Sequence, residues 1–132
     1  MIEIVFPEDW SERMAFFVAA ITVLIGLAAM VMPKRIGQFM GLAQLAGSRH
    51  GLSEIRGPIG GMWVGVGLAC LLLGQPFSYF VLGLGYAFAV VGRFISMVFD
   101  RAWTPYCLIA TVVELLATYF PLRFALEGFG LL

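Results

Sequence analysis

In a chain of 132 residues, 61% hydrophobic and only 12% charged, there is too little polar side chain to cover a soluble fold, which carries roughly a quarter of its residues charged. A water-soluble globular domain is therefore excluded, and lipid is the solvent that the composition calls for. Eight basic and eight acidic residues balance to a formal net charge of zero, so no bulk field draws in nucleic acid or an acidic substrate.

A bilayer core of about 30 Å takes roughly 20 helical residues to cross, which makes segment length the first test. The opening Met1-Ile2-Glu3-Ile4-Val5-Phe6-Pro7-Glu8-Asp9-Trp10 is acidic where a secretory signal would be basic, and no small-residue cleavage site follows, so the first span is expected to be retained. That span covers about 11–32. Asp9 with Glu12 resembles a capping pair, and Pro33 followed by Lys34 and Arg35 stops the helix. Residues 34–53, with Gly37, Gly41, Gly47, Arg49, His50 and Gly51, are too polar and glycine-rich for a span and read as a loop with room for a short interfacial helix. Ser53 is the expected N-cap of a second span, with Glu54 favourable in its first turn, running over about 54–74 to a tight Gly74-Gln75-Pro76 turn that makes its neighbours antiparallel. A third span over about 77–99 ends at Asp100-Arg101-Ala102-Trp103. A fourth, over about 104–125, opens with Thr104 as cap and Pro105 at the first helical position. The expectation is an all-α integral membrane bundle of four transmembrane helices forming one domain over 1–132, with no loop long enough for another domain and no inverted repeat of the transporter kind.

Sorting the basic residues gives sidedness. The side of both termini holds Arg13 and Arg123, whereas the other holds Lys34, Arg35, Arg49 and Arg101, with Arg56 and Arg93 near its helix ends. The positive side is expected to be cytoplasmic and both termini periplasmic, the acidic tail (Glu3, Glu8, Asp9, Glu12) offering no resistance to translocation.

Lipid gives helices no hydrophobic drive to associate, so contact has to come from small residues and polar pairs. Gly57, Gly61 and Gly65 share one face of the second span, with Gly60 and Gly67 broadening it. Gly85 and Ala89, then Gly92 and Ser96, repeat the pattern in the third, and the two stripes are expected to pack on each other. Among ionisable residues Glu114 stands out: about 15 Å into the fourth span, it is beyond easy snorkelling and must be paired or protonated. Arg93, Ser96 and Asp100 lie on one face of the third span, with Arg93 able to reach a deeper carboxylate. We therefore expect Glu54, Arg56, Arg93, Asp100, Arg101 and Glu114 to converge in a buried charged cluster, with Arg93 joined to Glu114 and Arg56 to Asp100. Structurally, such pairs fix helix register. Functionally, Glu54, Arg56, Arg93, Ser96, Asp100 and Glu114 are the candidate ligand- or proton-binding residues.

Other features point nowhere sharper. Cys70 and Cys107 lie in apolar runs without a Cys or His at metal spacing and read as small hydrophobes, so no metal or cofactor is expected. His50 reads as a solvated loop residue beside Arg49. Trp10, Trp63, Trp103, Tyr106 and Tyr119 read as interfacial or packing aromatics. No Ser/His/Asp set is visible, and no catalytic residue is nominated.

The run Ser53-Glu54-Ile55-Arg56-Gly57-Pro58-Ile59-Gly60-Gly61, then Gly92-Arg93 with Ser96 and Asp100, then Glu114, resembles a family of small bacterial four-helix membrane proteins known only as a domain of unknown function. The resemblance covers all four spans, apart from Pro58, which departs from the pattern. It implies fold and topology but no activity. Membrane glutathione-type enzymes share the size and span count, yet their Arg/Asn/Glu-rich second span has no counterpart in residues 61–73. Small multidrug exchangers carry a carboxylate in the first span that is missing after Glu12. The sequence thus favours a non-enzymatic inner-membrane bundle in contact with the lipid bilayer, an accessory or scaffold protein partnered with itself or a larger membrane complex. The alternative is a carrier or binder of a small anionic or amphipathic ligand, lipid- or quinone-like and coupled to protons.

Overall fold

The computed structural model describes residues 6–132, so Glu3 of the acidic tail lies outside the described residues. It is all-α: α1 (Trp10–Val31), a short α2 (Pro33–Phe39), α3 (His50–Leu73), α4 (Pro76–Phe99) and α5 (Pro105–Gly128). All but α2 are long and apolar enough to cross a membrane, and the chain is a multi-pass membrane protein in contact with the bilayer. α1 packs beside α3 and α5, while α4 packs beside α5 and, more sparsely, α3, so consecutive spans surround a common axis.

The helix ends follow local chemistry. α1 stops where Met32 leaves helical geometry, and Pro33 takes the first position of α2, where its missing N–H costs nothing. Gly74 closes α3 at φ 59°, a left-handed conformation that only glycine adopts without penalty, and Pro76 opens α4 two residues later. Thr104 caps α5, its hydroxyl oxygen accepting the backbone N–H of Cys107 at 3.2 Å. Asp9 occupies the N-cap position of α1, but its side chain makes no capping bond.

The start of α3 corrects the expectation. The helix begins at His50, so Ser53 and Glu54 lie inside its first turns rather than at its cap. Residues Ile55–Gly61 are wound as a π-helix around Pro58. Proline has no N–H to offer and its ring collides with the carbonyl four residues back. A wider turn relieves that collision, and the flanking glycines bend into it easily.

Helix packing also departs from the expected glycine stripes. Gly57, Gly65, Gly85 and Gly92 face open space, and the stripes of α3 and α4 do not meet. The close approach is between α3 and α1. A Cβ on Gly60 would sit 2.9 Å from the Gly26 carbonyl oxygen, and one on Gly67 would sit 2.6 Å from Val23 Cγ2 and 3.0 Å from the Ala19 carbonyl oxygen. Gly60 and Gly67 are two turns apart on one face, about 100° around the helix from the stripe the spacing favoured. The face of α1 that receives them is itself built of small residues, with Ala15, Ala19, Thr22, Gly26 and Ala29 all buried. Near the end that carries both termini, Ala15, Ala19, Cys70, Tyr79 and Leu82 form a buried core, where Tyr79 meets Phe124 edge-on at 5.1 Å between ring centroids.

Candidate functional site

Between α4 and α5 the two helices bring together the one charged pair that joins different spans among the described residues. Arg93 Nε donates to Glu114 Oε2 at 2.6 Å and Arg93 Nη2 donates to Oε1 at 2.8 Å, a two-pronged contact that uses both carboxylate oxygens. The antiparallel register that seats Leu122 against Gly83 also sets Glu114 opposite Arg93. The Tyr106 ring, in the first turn of α5, lies 5.9 Å from the guanidinium carbon and gives the cation an aromatic face. One turn beyond Glu114, the Thr118 hydroxyl donates to the Glu114 backbone carbonyl at 2.8 Å, which keeps that hydroxyl satisfied within its own helix. The pair is shielded rather than sealed: the side chains keep 25% (Arg93) and 17% (Glu114) of their surface accessible.

The remaining candidates do not join it, and the expected buried charged cluster does not form. Glu54, Arg56 and Asp100 are exposed, and the expected Arg56–Asp100 pair is absent. Asp100 turns back on its own helix, where the half-buried Ser96 hydroxyl donates to Oδ2 at 2.7 Å. Arg56 reaches in the opposite direction, to α1, and one of its guanidinium nitrogens donates to the Met30 carbonyl. The physical reason is that the last turn of α1 carries orphan carbonyls at the negative end of the helix dipole and no basic residue of its own. Arg56, at the π-turn alongside, supplies that charge and is thereby held away from Asp100. Arg101 sits beyond the end of α4 at φ 54°, exposed and outside the pair.

The sequence pattern of a family described as Domain of unknown function (DUF4345) matches residues 13–122, from the first turn of α1 to the last third of α5 and across both members of the charged pair. The chain belongs to the DUF4345 family. No curated protein and no solved structure matches it.

One polar feature of this DUF4345 chain escapes a reading by charge. The Thr22 hydroxyl donates to the Val18 carbonyl at 2.7 Å, so its single proton is committed. Tyr86 must then donate across the bundle, with 2.6 Å between the two oxygens. Tyr79, Tyr86 and Arg93 recur every seven residues on α4, so the inward stripe of that helix carries polar tips at three successive levels. The seven-residue recurrence was the available signal, and neutral hydroxyls simply attract no notice when charges are being sorted. The basic residues of α2 and α3 lie at the end opposite the termini, as the sorting of charges expected. Lys34 and Arg35 belong to a helix that the sequence allowed but did not place.

Proposed function

We propose that this DUF4345 protein is a non-enzymatic, single-domain bundle of a bacterial inner membrane with an accessory or scaffold role, associating with itself or with a larger membrane complex. The carrying observation is the Arg93–Glu114 contact. Its geometry spends both carboxylate oxygens and two guanidinium donors on each other, which supports a role in fixing the register of α4 against α5 rather than in chemistry. The excess of Lys34, Arg35, Arg49 and Arg101 at one end supports placing that end in the cytoplasm and both termini in the periplasm.

A second reading, a proton-coupled carrier or binder of a small amphipathic ligand that uses Glu114, is favoured by the residual accessibility of the pair. One experiment separates the two. Glu114→Gln is compared with the unaltered protein for thermal stability in detergent, with and without a short-chain quinone. Lost stability with no quinone effect in either protein supports the scaffold. Quinone-induced stabilisation that vanishes in Glu114→Gln overturns it in favour of the binder.

A further inference from the structure

We infer that the cleft where α1, α2 and α3 meet is a binding site for the phosphate group of an anionic lipid. The cleft has a volume of about 260 Å³, roughly that of nine water molecules, which is room for a glycerophosphate head group. Lys34, Arg35 and Arg56 line it over apolar walls of Val31, Met32 and Leu52, and no acidic side chain contributes. Among the described residues none of these three cations takes part in a salt bridge. Arg56 is held in place by its bond to the Met30 carbonyl, which leaves its other N–H donors uncommitted.

Position identifies the occupant. Val31 is the last residue of α1 and Pro33 the first of α2, while Arg56 lies in the second turn of α3. The cleft therefore sits where the spans leave the hydrocarbon, at the depth of lipid head groups. Val31 and Met32 are 72% and 42% exposed beside it, so an acyl chain can continue from the head group along α1. A free phosphate ion would use the cations and leave those apolar walls unfilled, whereas a phospholipid uses both. Clustered basic residues between spans near a membrane surface attract anionic head groups in this way. The inference goes beyond the scaffold role and does not involve Arg93 or Glu114, so either can fail without the other.

The test uses the full chain purified in mild detergent, with retention of phosphatidylglycerol and phosphatidylcholine measured by native mass spectrometry. We expect phosphatidylglycerol to be retained about tenfold better than phosphatidylcholine, and Lys34→Gln with Arg35→Gln to abolish most of that preference. The control pair Arg49→Gln with Arg101→Gln removes equal charge from the same end outside the cleft and is expected to leave the preference within about twofold. Lys34 and Arg35 make no side-chain hydrogen bonds among the described residues, so their replacement tests the site without testing the fold; Arg56→Gln is a supporting variant, with folding checked by circular dichroism. Equal retention of the two lipids overturns the inference, as does an equal loss in the control pair. Inorganic phosphate that binds the delipidated protein as tightly as phosphatidylglycerol does, and is lost in the same Lys34→Gln with Arg35→Gln variant, overturns the lipid assignment and makes this a site for the free ion.

Discussion

Glu114→Gln tests how much the bundle depends on its interhelical ion pair. The two charges are about 4 Å apart, and at an effective dielectric of about 20 their attraction is about 4 kcal/mol before desolvation. Side chains that keep 25% and 17% of their surface accessible fall between exposed pairs, worth at most about 1 kcal/mol, and buried ones, where removing one partner costs about 3–5 kcal/mol. Glutamine retains one carbonyl oxygen for one of the two Arg93 donors, so the expected loss is about 1.5–3 kcal/mol. Arg93→Gln should cost a similar amount, because it removes the other partner of the same pair and leaves both Glu114 carboxylate oxygens without their guanidinium donors. The assay is reversible unfolding in mixed micelles of dodecylmaltoside and sodium dodecyl sulfate, followed by circular dichroism, on both single variants and the double variant. A coupling energy of about 1–2 kcal/mol is expected from the cycle. A value below about 0.5 kcal/mol, the scatter of independent sites, would refute the register role.

Three further outcomes are expected. Gly67→Val forces two methyls into the Val23 and Ala19 contact and should cost about 1–3 kcal/mol in the same unfolding assay, while Gly65→Ala, on the open face, should change stability by less than about 0.5 kcal/mol. Tyr86→Phe removes the cross-bundle donor but leaves the Thr22 bond to Val18 intact, so its cost should be about 0.6 kcal/mol, the average for interhelical hydrogen bonds in lipid, and no more than about 1.7 kcal/mol; Thr22→Val should cost a similar amount, and no loss in either would show that the contact adds nothing. For sidedness, a cysteine introduced at Gln44, in the exposed segment after α2, should stay unlabelled by a membrane-impermeant maleimide in intact cells and react in inverted vesicles. The opposite pattern would reverse the assigned orientation.

Much of the architecture was legible in the residues because it depends on local chemistry. Span length and the turn signals at Pro33, Gly74 to Pro76 and Thr104-Pro105 act over a few neighbouring residues, so they placed four helices and the two later turns without knowledge of the packing, but not α2 or the start of α3. Arg93 opposite Glu114 was legible for a related reason: a charge far from a helix end in lipid needs a partner, and the antiparallel register left few within reach. The tertiary structure decided everything that depends on rotation about a helix axis. With apolar residues on almost every face, hydropathy offered no contrast to say which side of α3 turns inward, and the small-residue face of α1 selected Gly60 and Gly67 over Gly57, Gly61 and Gly65. The same rotation carried Arg56 to the unsatisfied carbonyls of α1 instead of to Asp100. Composition sets how many helices a membrane chain has and where they end; which faces meet is set by shape and by backbone groups seeking partners, and those exist only once the helices are side by side.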